Sequence, residues 1–377
     1  MPENKNLTDK TLLQKVFWRT VEMYRPGKAD SELPVGAHLN AWDWGPGIAL
    51  YSLQKAYPLL SESEQQVYFR FWKNWLEANL ERAAPSAAIN GAILVNILWQ
   101  TMHDPAMPFS AEERRFYLEY CRERIDFYLQ QAHRTPSGAF AHTVTSGSPD
   151  SYRQIWADNL FMLVLLLAQF AASEGDEKLF EQMVEQVELH YTHLSDPVSR
   201  LLYHGWQFEP EGLEKDLAGN SGTHLNGALW GRGNAWAVMG VAKLLELCRE
   251  AGFERLEARL WQASQAHFQA LLGCQLADGQ WRTLLDKDWS YAETSATAGM
   301  CYAFLKLAGS GLAGVNYHQA GQRALDALKS KITGSGEVSG VSGSTPLLAS
   351  LEAYNAVPQT EICTWGQGIG LLALTMG

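Results

Sequence analysis

The chain has 377 residues, 46% of them hydrophobic, and a formal net charge of -11 at neutral pH. This size and apolar content suffice for a large core, while the acidic balance argues against a nucleic-acid-binding protein, which usually shows a basic footprint. Trp occurs 14 times, and sugar-binding clefts as well as ordinary cores use such aromatic side chains. The five cysteines lack metal-type spacing, which predicts reduced, mostly buried thiols.

The N-terminal stretch MPENKNLTDK is polar and lacks the apolar centre of a secretion signal. The longest apolar run, near residues 160–172, is too short for a membrane span and is interrupted by Gln169. We therefore expect a cytoplasmic protein that has no membrane partner.

In chain order, apolar residues at helical spacing predict about twelve helices, separated by clusters of Gly, Pro, Asp and Asn. β-Strand alternation is scarce, and residues 194–229 form a long helix-poor region. No low-complexity linker divides the chain, so residues 1–377 are expected to form one domain. The predicted helices span residues 8–24, 46–58, 62–81, 88–102, 111–132, 152–173, 176–193, 231–251, 254–272, 292–308, 315–332 and 364–376.

The predicted helices alternate in character along the chain. The odd-numbered ones are amphipathic and charged, such as EERRFYLEYCRERIDFYLQQ, whereas the even-numbered ones are apolar and poor in charge, such as GAILVNILWQ. Amphipathic helices lie on an outside and nearly all-apolar ones are buried. About six outer and six inner helices predict an all-α fold, a closed (α/α)6 barrel. An open solenoid of helix pairs is the alternative, but it should show a recurring sequence period, and we find none.

Polar and aromatic residues collect where the inner helices begin. If the helices alternate up and down, all inner helices start at the same end of the barrel. Their starting segments read HLNAWDWGPG, APSAAING, RQIWADN, ALWGRGNAW, YAETSAT and TWGQG. A few polar groups set among aromatic side chains are typical of a site for a polar ring compound. Free backbone N–H groups at the helix starts also favour an anion.

Asp158 lies directly before the long apolar run in RQIWADNLFMLVLLLAQF. One interpretation makes it an ordinary N-cap of the following helix. The alternative places it inside the helix, on one face with Phe161, Met162 and Leu165. Such apolar surroundings would raise the pKa of the carboxyl and keep it protonated, as a general acid requires. This stretch by itself leaves both interpretations open.

Arg232 stands between two glycines in ALWGRGNAWAVMG, with Trp230 and Trp236 nearby. The guanidinium fork suits a substrate carboxylate because it can bind both oxygens. A salt bridge from Arg232 to a structural acid is the equally open alternative. The glycines are not a dinucleotide fingerprint, because no strand precedes them.

Two histidines, His204 in LLYHGWQFEP and His142 in GAFAHTVTSG, are further candidates, although a lone histidine is more often structural than functional. No HxH or HExxH spacing accompanies them, so we expect no metal site. The segment SYAETSATAGM, which contains Glu293, is interpreted as a capped helix start.

These motifs, taken in order, resemble a known family. The order is WDWGPGIALYSL, APSAAINGAILVNIL, QIWADNLFM, LLYHGWQF, GALWGRGNAWAVMG, DGQWRTLLDKDWSYAETSATAGM and WGQGIGLLAL. The chain resembles the unsaturated rhamnogalacturonyl hydrolases of glycoside hydrolase family 105, relatives of the unsaturated glucuronyl hydrolases of family 88. The similarity runs from about Trp42 to the C-terminus, and the WxRGNxW and WAD elements in this order are specific.

The resemblance implies an (α/α)6 barrel of the six-hairpin glycosidase type, in agreement with the helix alternation. Members of the family remove a 4,5-unsaturated uronic acid from the non-reducing end of oligosaccharides that polysaccharide lyases leave behind. An unsaturated rhamnogalacturonan disaccharide is the main expected substrate. The reaction hydrates a vinyl ether instead of displacing a group at the anomeric carbon, and it implies no metal and no organic cofactor.

Carried over residue by residue, the resemblance implies that Asp158 is the general acid and then the base toward the incoming water. One acid would then suffice, unlike in ordinary glycosidases. Asn90 stands where related enzymes can carry a second Asp, and an amide cannot take up a proton. The residues expected to bind the sugar or line the barrel mouth are Trp42, Trp44, Asn90, His142, His204, Trp230, Arg232 and Trp236.

Two other classes of function remain open at this stage. One is a non-catalytic sugar-binding protein on the same barrel, since fold does not dictate function. The other is a different activity of such barrels, a saturated glycosidase or a sugar epimerase, for which Glu293, Asp43 or Asp150 would supply a second acid.

Overall fold

The structure is a computed structural model that describes residues 3–28, 30–80, 89–143, 152–209, 214–359 and 362–377. Asp150, one candidate for a second acid, lies outside the described residues. Within the described ranges no helix is long and apolar enough to cross a membrane.

The described part of the chain is mainly helical and contains one small sheet. Its helices are α1 Glu3–Val21, α2 Trp44–Ala56, α3 Glu62–Asn79, α4 Ala92–His103, α5 Ala111–Gln131, α6 Leu165–Glu174, α7 Glu177–Leu194, α8 Gly231–Ala251, α9 Glu254–Gly273, α10 Thr294–Ser310, α11 Val315–Ser330, α12 Leu351–Asn355 and α13 Thr364–Leu374. Its strands are β1 Gln154–Trp156, β2 Gly205–Phe208, β3 Glu214–Lys215 and β4 Ser221–Thr223.

Six helices form a closed inner ring. Helix α2 packs on α4, α4 on α6, α6 on α8, α8 on α10 and α10 on α13, and α13 returns to α2. The last contact closes the ring, which confirms the (α/α)6 barrel and contradicts an open solenoid. The closing helices approach very closely at Gly368, where a Cβ would lie 2.7 Å from the backbone nitrogen of Ala49.

Burial separates the inner helices from the outer ones, as the sequence predicts. All 11 residues of α13 are buried. In the 21-residue α5, by contrast, the buried residues are Tyr117, Cys121, Ile125 and Tyr128, which recur at helical spacing on one face. A helix with one apolar stripe can cover the ring from outside, whereas a helix that is apolar all round must lie within it.

The sixth predicted helix begins later than expected. Residues 154–156 form strand β1, which pairs antiparallel with β2 so that Ile155 faces Trp206. A π-helical turn, Leu160–Val164, then leads into α6. The predicted start at residue 152 is therefore wrong, because pairing with a distant strand overrides the local helical pattern. The helix-poor region supplies the other strands of the antiparallel sheet, in the order β1-β2-β4-β3.

Candidate active site

The starts of the inner helices meet at one end of the barrel, as predicted. Asp43 caps α2, Trp230 precedes α8, Glu293 caps α10 and Cys363 precedes α13. Contacts between aromatic side chains cross this end: the ring of Trp44 lies 4.8 Å from that of Trp365 and 6.3 Å from that of Trp236. We call this end the barrel mouth.

Asp158 lies at the barrel mouth, in the bend between β1 and the π-helical turn. Its backbone oxygen accepts hydrogen bonds from the N–H groups of Phe161 and Met162, at 3.1 and 3.0 Å. The residue that caps the turn is Asn159, which makes no side-chain capping bond, and Oδ2 of Asp158 has no hydrogen-bond partner among the described residues. The capping interpretation is therefore wrong, and so is the placement of Asp158 inside the helix, because the residue lies in the turn before it. The carboxyl is left available for another use.

The carboxyl of Asp158 is set back in the protein, with 16% of its side chain exposed. Burial raises its pKa from 3.8 to about 7, against the opposing effects of its own backbone amide and the positive charge of Arg232. Removing water disfavours the charged form of an acid. A large fraction of the carboxyl is then protonated near neutral pH, which suits a proton donor.

His204 faces this carboxyl from strand β2. Its Nε2 lies 3.8 Å from Oδ2 of Asp158, and neither atom has a hydrogen-bond partner among the described residues. The adjacent strands set this pairing, because the N–H of Ala157 donates to the backbone oxygen of His204 at 3.1 Å. Burial first, and then the charges of His142 and Arg232, lower the pKa of His204 well below 6.5, so the imidazole is neutral.

Trp156 forms a wall of the site beside Asp158. It is half-buried, and its ring stacks nearly parallel on His142, with centroids 3.9 Å apart and planes at 6°. The amide of Asn159 donates from Nδ2 to Phe140, so its Oδ1 accepts a hydrogen bond from Nδ1 of His142 at 2.9 Å. Burial lowers the pKa of His142 to about 4. His142 thus supports Trp156 as a neutral, buried ring.

Arg232 holds the segment 342–345 across the barrel mouth. Its Nη1 donates to the hydroxyl of Ser342 at 2.6 Å, and its Nη2 donates to the backbone oxygen of Gly343 at 2.8 Å and the hydroxyl of Thr345 at 3.0 Å. Its Nη1 also lies 3.9 Å from Oε1 of Glu293. The side chain has no exposed surface, so these contacts match the structural alternative, while binding of a substrate carboxylate by Arg232 stays a prediction.

Tryptophans fix the guanidinium of Arg232 from two sides. Its central carbon lies 4.6 Å from the ring centre of Trp230 and 5.8 Å from that of Trp365. Trp230 and Trp236 are almost completely buried, so they too form the floor of the mouth. The positive charge nevertheless acts on Asp158, whose pKa it lowers. A contact of these three side chains with the sugar stays a prediction.

Trp42, Trp44 and Asn90 are half-buried at the mouth and present surface there. Trp42 stacks on Trp75, with ring centres 5.7 Å apart. Asn90 forms a hydrogen bond with the carboxylate of Asp43. Burial raises the pKa of Asp43, while the hydrogen bonds from the Trp44 N–H and from Asn90 act in the opposite direction. The amide of Asn90 therefore has a specific partner, the carboxylate of Asp43. A second carboxylate at position 90 would repel that of Asp43.

Sequence reasoning missed three side chains of this site. Trp156 and Trp365 stood in quoted motifs, WAD and TWGQG, so their aromatic character was an available signal. Tyr354, whose hydroxyl lies 2.6 Å from Nδ1 of His204, had none, because it is far away in the sequence and on a short helix that the pattern did not predict. Across the described ranges, no group of three or more His, Cys, Asp or Glu side chains could hold a metal ion.

A closed double ring of helices whose mouth holds a buried carboxyl among tryptophan side chains is the arrangement of a sugar-processing protein of the (α/α)6-barrel class. Comparison with known families agrees. The model of Glycosyl Hydrolase Family 88 matches residues 19–376, and the chain belongs to this family. Membership favours an enzyme over a non-catalytic sugar-binding protein.

Individual relatives confirm the resemblance seen in the sequence. The chain is 31% identical over 336 residues to the unsaturated rhamnogalacturonyl hydrolase YesR of Bacillus subtilis, covering 89% of each protein. It is 24% identical over 321 residues to the unsaturated 3S-rhamnoglycuronyl hydrolase of Formosa agariphila, covering 83% of this chain and 80% of that protein. A crystal structure of a possible GH105 member from Klebsiella pneumoniae superposes with a TM-score of 0.82 at 25% identity, covering 98% of this chain and 92% of that one.

Proposed function

We propose that this glycosidase removes a 4,5-unsaturated uronic acid from the non-reducing end of lyase-generated oligosaccharides, with Asp158 as general acid and base. The observation that carries the proposal is the carboxyl of Asp158, whose Oδ2 is buried without a hydrogen-bond partner among the described residues and whose pKa is near 7. The 31% identical relative, named an unsaturated rhamnogalacturonyl hydrolase, supports an unsaturated rhamnogalacturonan disaccharide as substrate.

The first step is protonation of the sugar double bond. The protonated carboxyl of Asp158 gives its proton to carbon 4, and the electron pair of the C4–C5 double bond forms the new C–H bond. Positive charge then develops at carbon 5 and is shared with the ring oxygen as an oxocarbenium ion. The resulting carboxylate of Asp158 lies near this charge and stabilises it.

The second step is addition of water. A water oxygen bonds to carbon 5 while one of its protons passes to the carboxylate of Asp158, which restores the acid. The hemiketal at carbon 5 opens when its bond to the ring oxygen breaks and carbon 5 becomes a ketone. The proton of the carbon 5 hydroxyl passes to the ring oxygen, which becomes a hydroxyl on carbon 1. Carbon 1 is then a hemiacetal, which releases the leaving sugar as an alcohol and leaves an aldehyde. One carboxyl performs both proton transfers, so no second acid is required.

The test pairs an unsaturated disaccharide with its saturated counterpart. The enzyme should consume the unsaturated rhamnogalacturonan disaccharide, seen as loss of the ultraviolet absorbance of its conjugated double bond, and should leave the saturated one intact. Cleavage of the saturated disaccharide would instead indicate an ordinary glycosidase. A panel of unsaturated disaccharides with rhamnose, galactose or amino-sugar leaving groups identifies the preferred leaving sugar, and turnover of none would refute the proposal.

Replacing the acid provides the matching variant. Asp158→Asn should lower kcat by about a thousandfold or more, because an amide can neither donate the proton of the first step nor accept the proton of the second. Circular dichroism should show an unchanged fold, since Asn has the same shape. Wild-type turnover by this variant would remove Asp158 from the mechanism.

We also infer that the chain acts as one domain in the cytoplasm. Its five cysteines are free thiols, and Cys121, Cys248, Cys301 and Cys363 are buried, as suits a reducing compartment. The ring closes between α2 and α13, the first and the last of its six helices in chain order. Cell fractionation and a single cooperative unfolding transition test the two inferences separately.

A further inference from the structure

Tyr354 lies behind the site on the short helix α12, 150 positions away from His204 in the chain. Its side chain is fully buried and packs in a small cluster with Ala228, Trp230 and Leu284. Its hydroxyl lies 2.6 Å from Nδ1 of His204. The direction of this hydrogen bond decides which nitrogen of His204 carries the proton.

The neighbouring amide of Asn226 determines that direction. Its Oδ1 accepts a hydrogen bond from the backbone N–H of Ala228 at 2.8 Å, which identifies the other end of the amide as Nδ2. Nδ2 donates to the backbone oxygen of Leu348 and, at 3.3 Å, to the hydroxyl oxygen of Tyr354. The backbone N–H of Leu348 also donates to this oxygen. Both lone pairs of the hydroxyl oxygen are then occupied, so its own proton points to Nδ1 of His204.

A neutral imidazole carries one N–H proton, and the partner of one nitrogen decides where that proton lies. Because Nδ1 accepts from Tyr354, the proton of His204 must be on Nε2. This nitrogen is the atom 3.8 Å from Oδ2 of Asp158. The ring cannot easily turn away, because Trp230 packs at 4.2 Å and the edge of Trp156 at 5.1 Å, measured between ring centres.

We propose that Tyr354 is a positioning residue that holds His204 in the Nε2–H tautomer and so aims an N–H donor at the carboxyl of Asp158. The tautomer follows from the hydrogen bonds alone, while its consequence for turnover rests on the function proposed above. With a donor at Nε2, His204 favours the carboxylate that forms when Asp158 releases its proton to the substrate. The opposite tautomer would offer a lone pair, which would bind the acid proton and draw it away from carbon 4.

The first test reads the tautomer directly and needs no substrate. The 15N chemical shifts of a neutral histidine distinguish Nε2–H from Nδ1–H, and the chain has 10 histidines. Loss of signals in His204→Gln identifies those of His204. We expect the Nε2–H pattern in the wild-type protein and a mixture of tautomers in Tyr354→Phe. An Nδ1–H pattern in the wild-type protein would overturn the proposal, whatever the enzyme hydrolyses.

The second test measures kinetics against pH with a matched control. The charged and titratable groups that influence Asp158 and His204 are Arg232, His142 and Tyr354, and Tyr354→Phe alters only the last. We expect kcat to fall about tenfold with little change in KM. The alkaline limb of the kcat profile should also move to higher pH, because the carboxylate loses a donor.

The control is Tyr57→Phe, which removes the hydroxyl of a buried tyrosine that donates at 3.4 Å to the backbone oxygen of Ala106, just after the end of α2 that lies away from the barrel mouth. It should leave kcat and its pH profile unchanged. A Tyr354→Phe enzyme with a wild-type kcat would contradict the proposal. A Tyr354→Phe enzyme whose kcat falls while the alkaline limb of its pH profile stays in place would also contradict it, because a general loosening of the structure would have that effect. Should Tyr354→Phe fail to fold, the wild-type tautomer measurement still decides.

Discussion

The two ends of the inner ring treat buried charge in opposite ways. At the mouth, Oδ2 of Asp158 has no hydrogen-bond partner among the described residues, and burial raises its pKa to about 7. At the opposite end, which we call the base, Glu246 forms ion pairs with Lys243 and Lys306. These neighbours lower the pKa of Glu246 to about 2, against the effect of burial.

The base follows the usual rules of stability. Lys55 stands in the last turn of α2, where a cation stabilises the negative end of the helix dipole. Its Nζ donates to Oε1 of Gln100 at 2.5 Å. Burial, and after it repulsion from Lys243, lower the pKa of Lys55 to about 7. The ion pairs of Glu246 thus support the ring at the base, while Lys55 beside them resembles Asp158 in that burial disfavours its charged form. The buried acid at the mouth therefore lowers the stability of the fold but provides a proton donor for catalysis.

Removing the acid at the mouth should therefore stabilise the protein, and this is the largest stability effect that we expect. The folded pKa of about 7 exceeds the unfolded value of about 4, so the stability that Asp158 provides is complete below pH 4 and is lost as the pH rises through 7. Asp158→Asn avoids that loss. The variant should gain on the order of 2–4 kcal/mol in free energy of unfolding at pH 8 and almost nothing at pH 4.

Urea unfolding of both proteins at a series of pH values measures this difference. Asp326→Asn, at an exposed position on α11, is the control and should leave the free energy of unfolding nearly unchanged at every pH. Equal unfolding free energies of the wild-type protein and Asp158→Asn at pH 8 would contradict the conclusion that burial destabilises the ionised form of Asp158.

Removing the carboxylate of Glu246, at the end of the ring opposite the mouth, should change the free energy of unfolding in the opposite direction. Glu246→Gln leaves Lys243 and Lys306 without their shared carboxylate, and the side chains of these lysines are only 10% and 15% exposed. We expect the free energy of unfolding to fall by about 1–3 kcal/mol, since buried ammonium groups lose their partner. Glu250→Gln, an exposed position on the same helix, should cost less than about 0.5 kcal/mol.

The activity of Glu246→Gln sharpens the same comparison. Its kcat should equal that of the wild-type enzyme at temperatures where both are folded, because the base lies at the far end of the ring. A large loss of kcat in the folded variant would show that the two ends are coupled.

The smallest effect is expected at Asn90. Asn90→Asp replaces the amide that bonds the carboxylate of Asp43 by a second carboxylate. The pKa of Asp43 should rise further, and the free energy of unfolding at neutral pH should fall by about 1 kcal/mol. Thermal unfolding at pH 4 and pH 7 tests this expectation, since the loss should vanish when the carboxyls are protonated. A loss of equal size at both pH values would rule out repulsion between the two acids.

Much of the fold could be predicted because it depends on local pattern. Helix α5 shows its buried face in the spacing of four residues, and α13 shows its inner position in its uniform apolar character. Asp158 was recognisable as an acid next to an apolar run. The secondary structure around Asp158 was predicted wrongly, because strand β1 forms only through its pairing with β2, some fifty residues later.

The contacts of individual site residues could not be predicted in the same way. Arg232 was equally suited to a substrate carboxylate and to structural partners, and the partners that it contacts belong to the segment 342–345, more than one hundred residues away. Position alone also gave no reason to connect Tyr354 with His204. Such bonds require two distant segments to meet at about 3 Å, and no periodicity in either segment encodes that meeting.

The sequence by itself determined the alternation of inner and outer helices, the end of the barrel at which polar and aromatic residues gather, and the acid among them. These properties follow from burial, which depends on residue type and spacing. Only the tertiary structure decided that Oδ2 of Asp158 has no partner among the described residues, that Arg232 faces a loop and that Tyr354 orients His204. Hydrogen bonds and pKa values depend on distances between segments, and folding alone sets those distances.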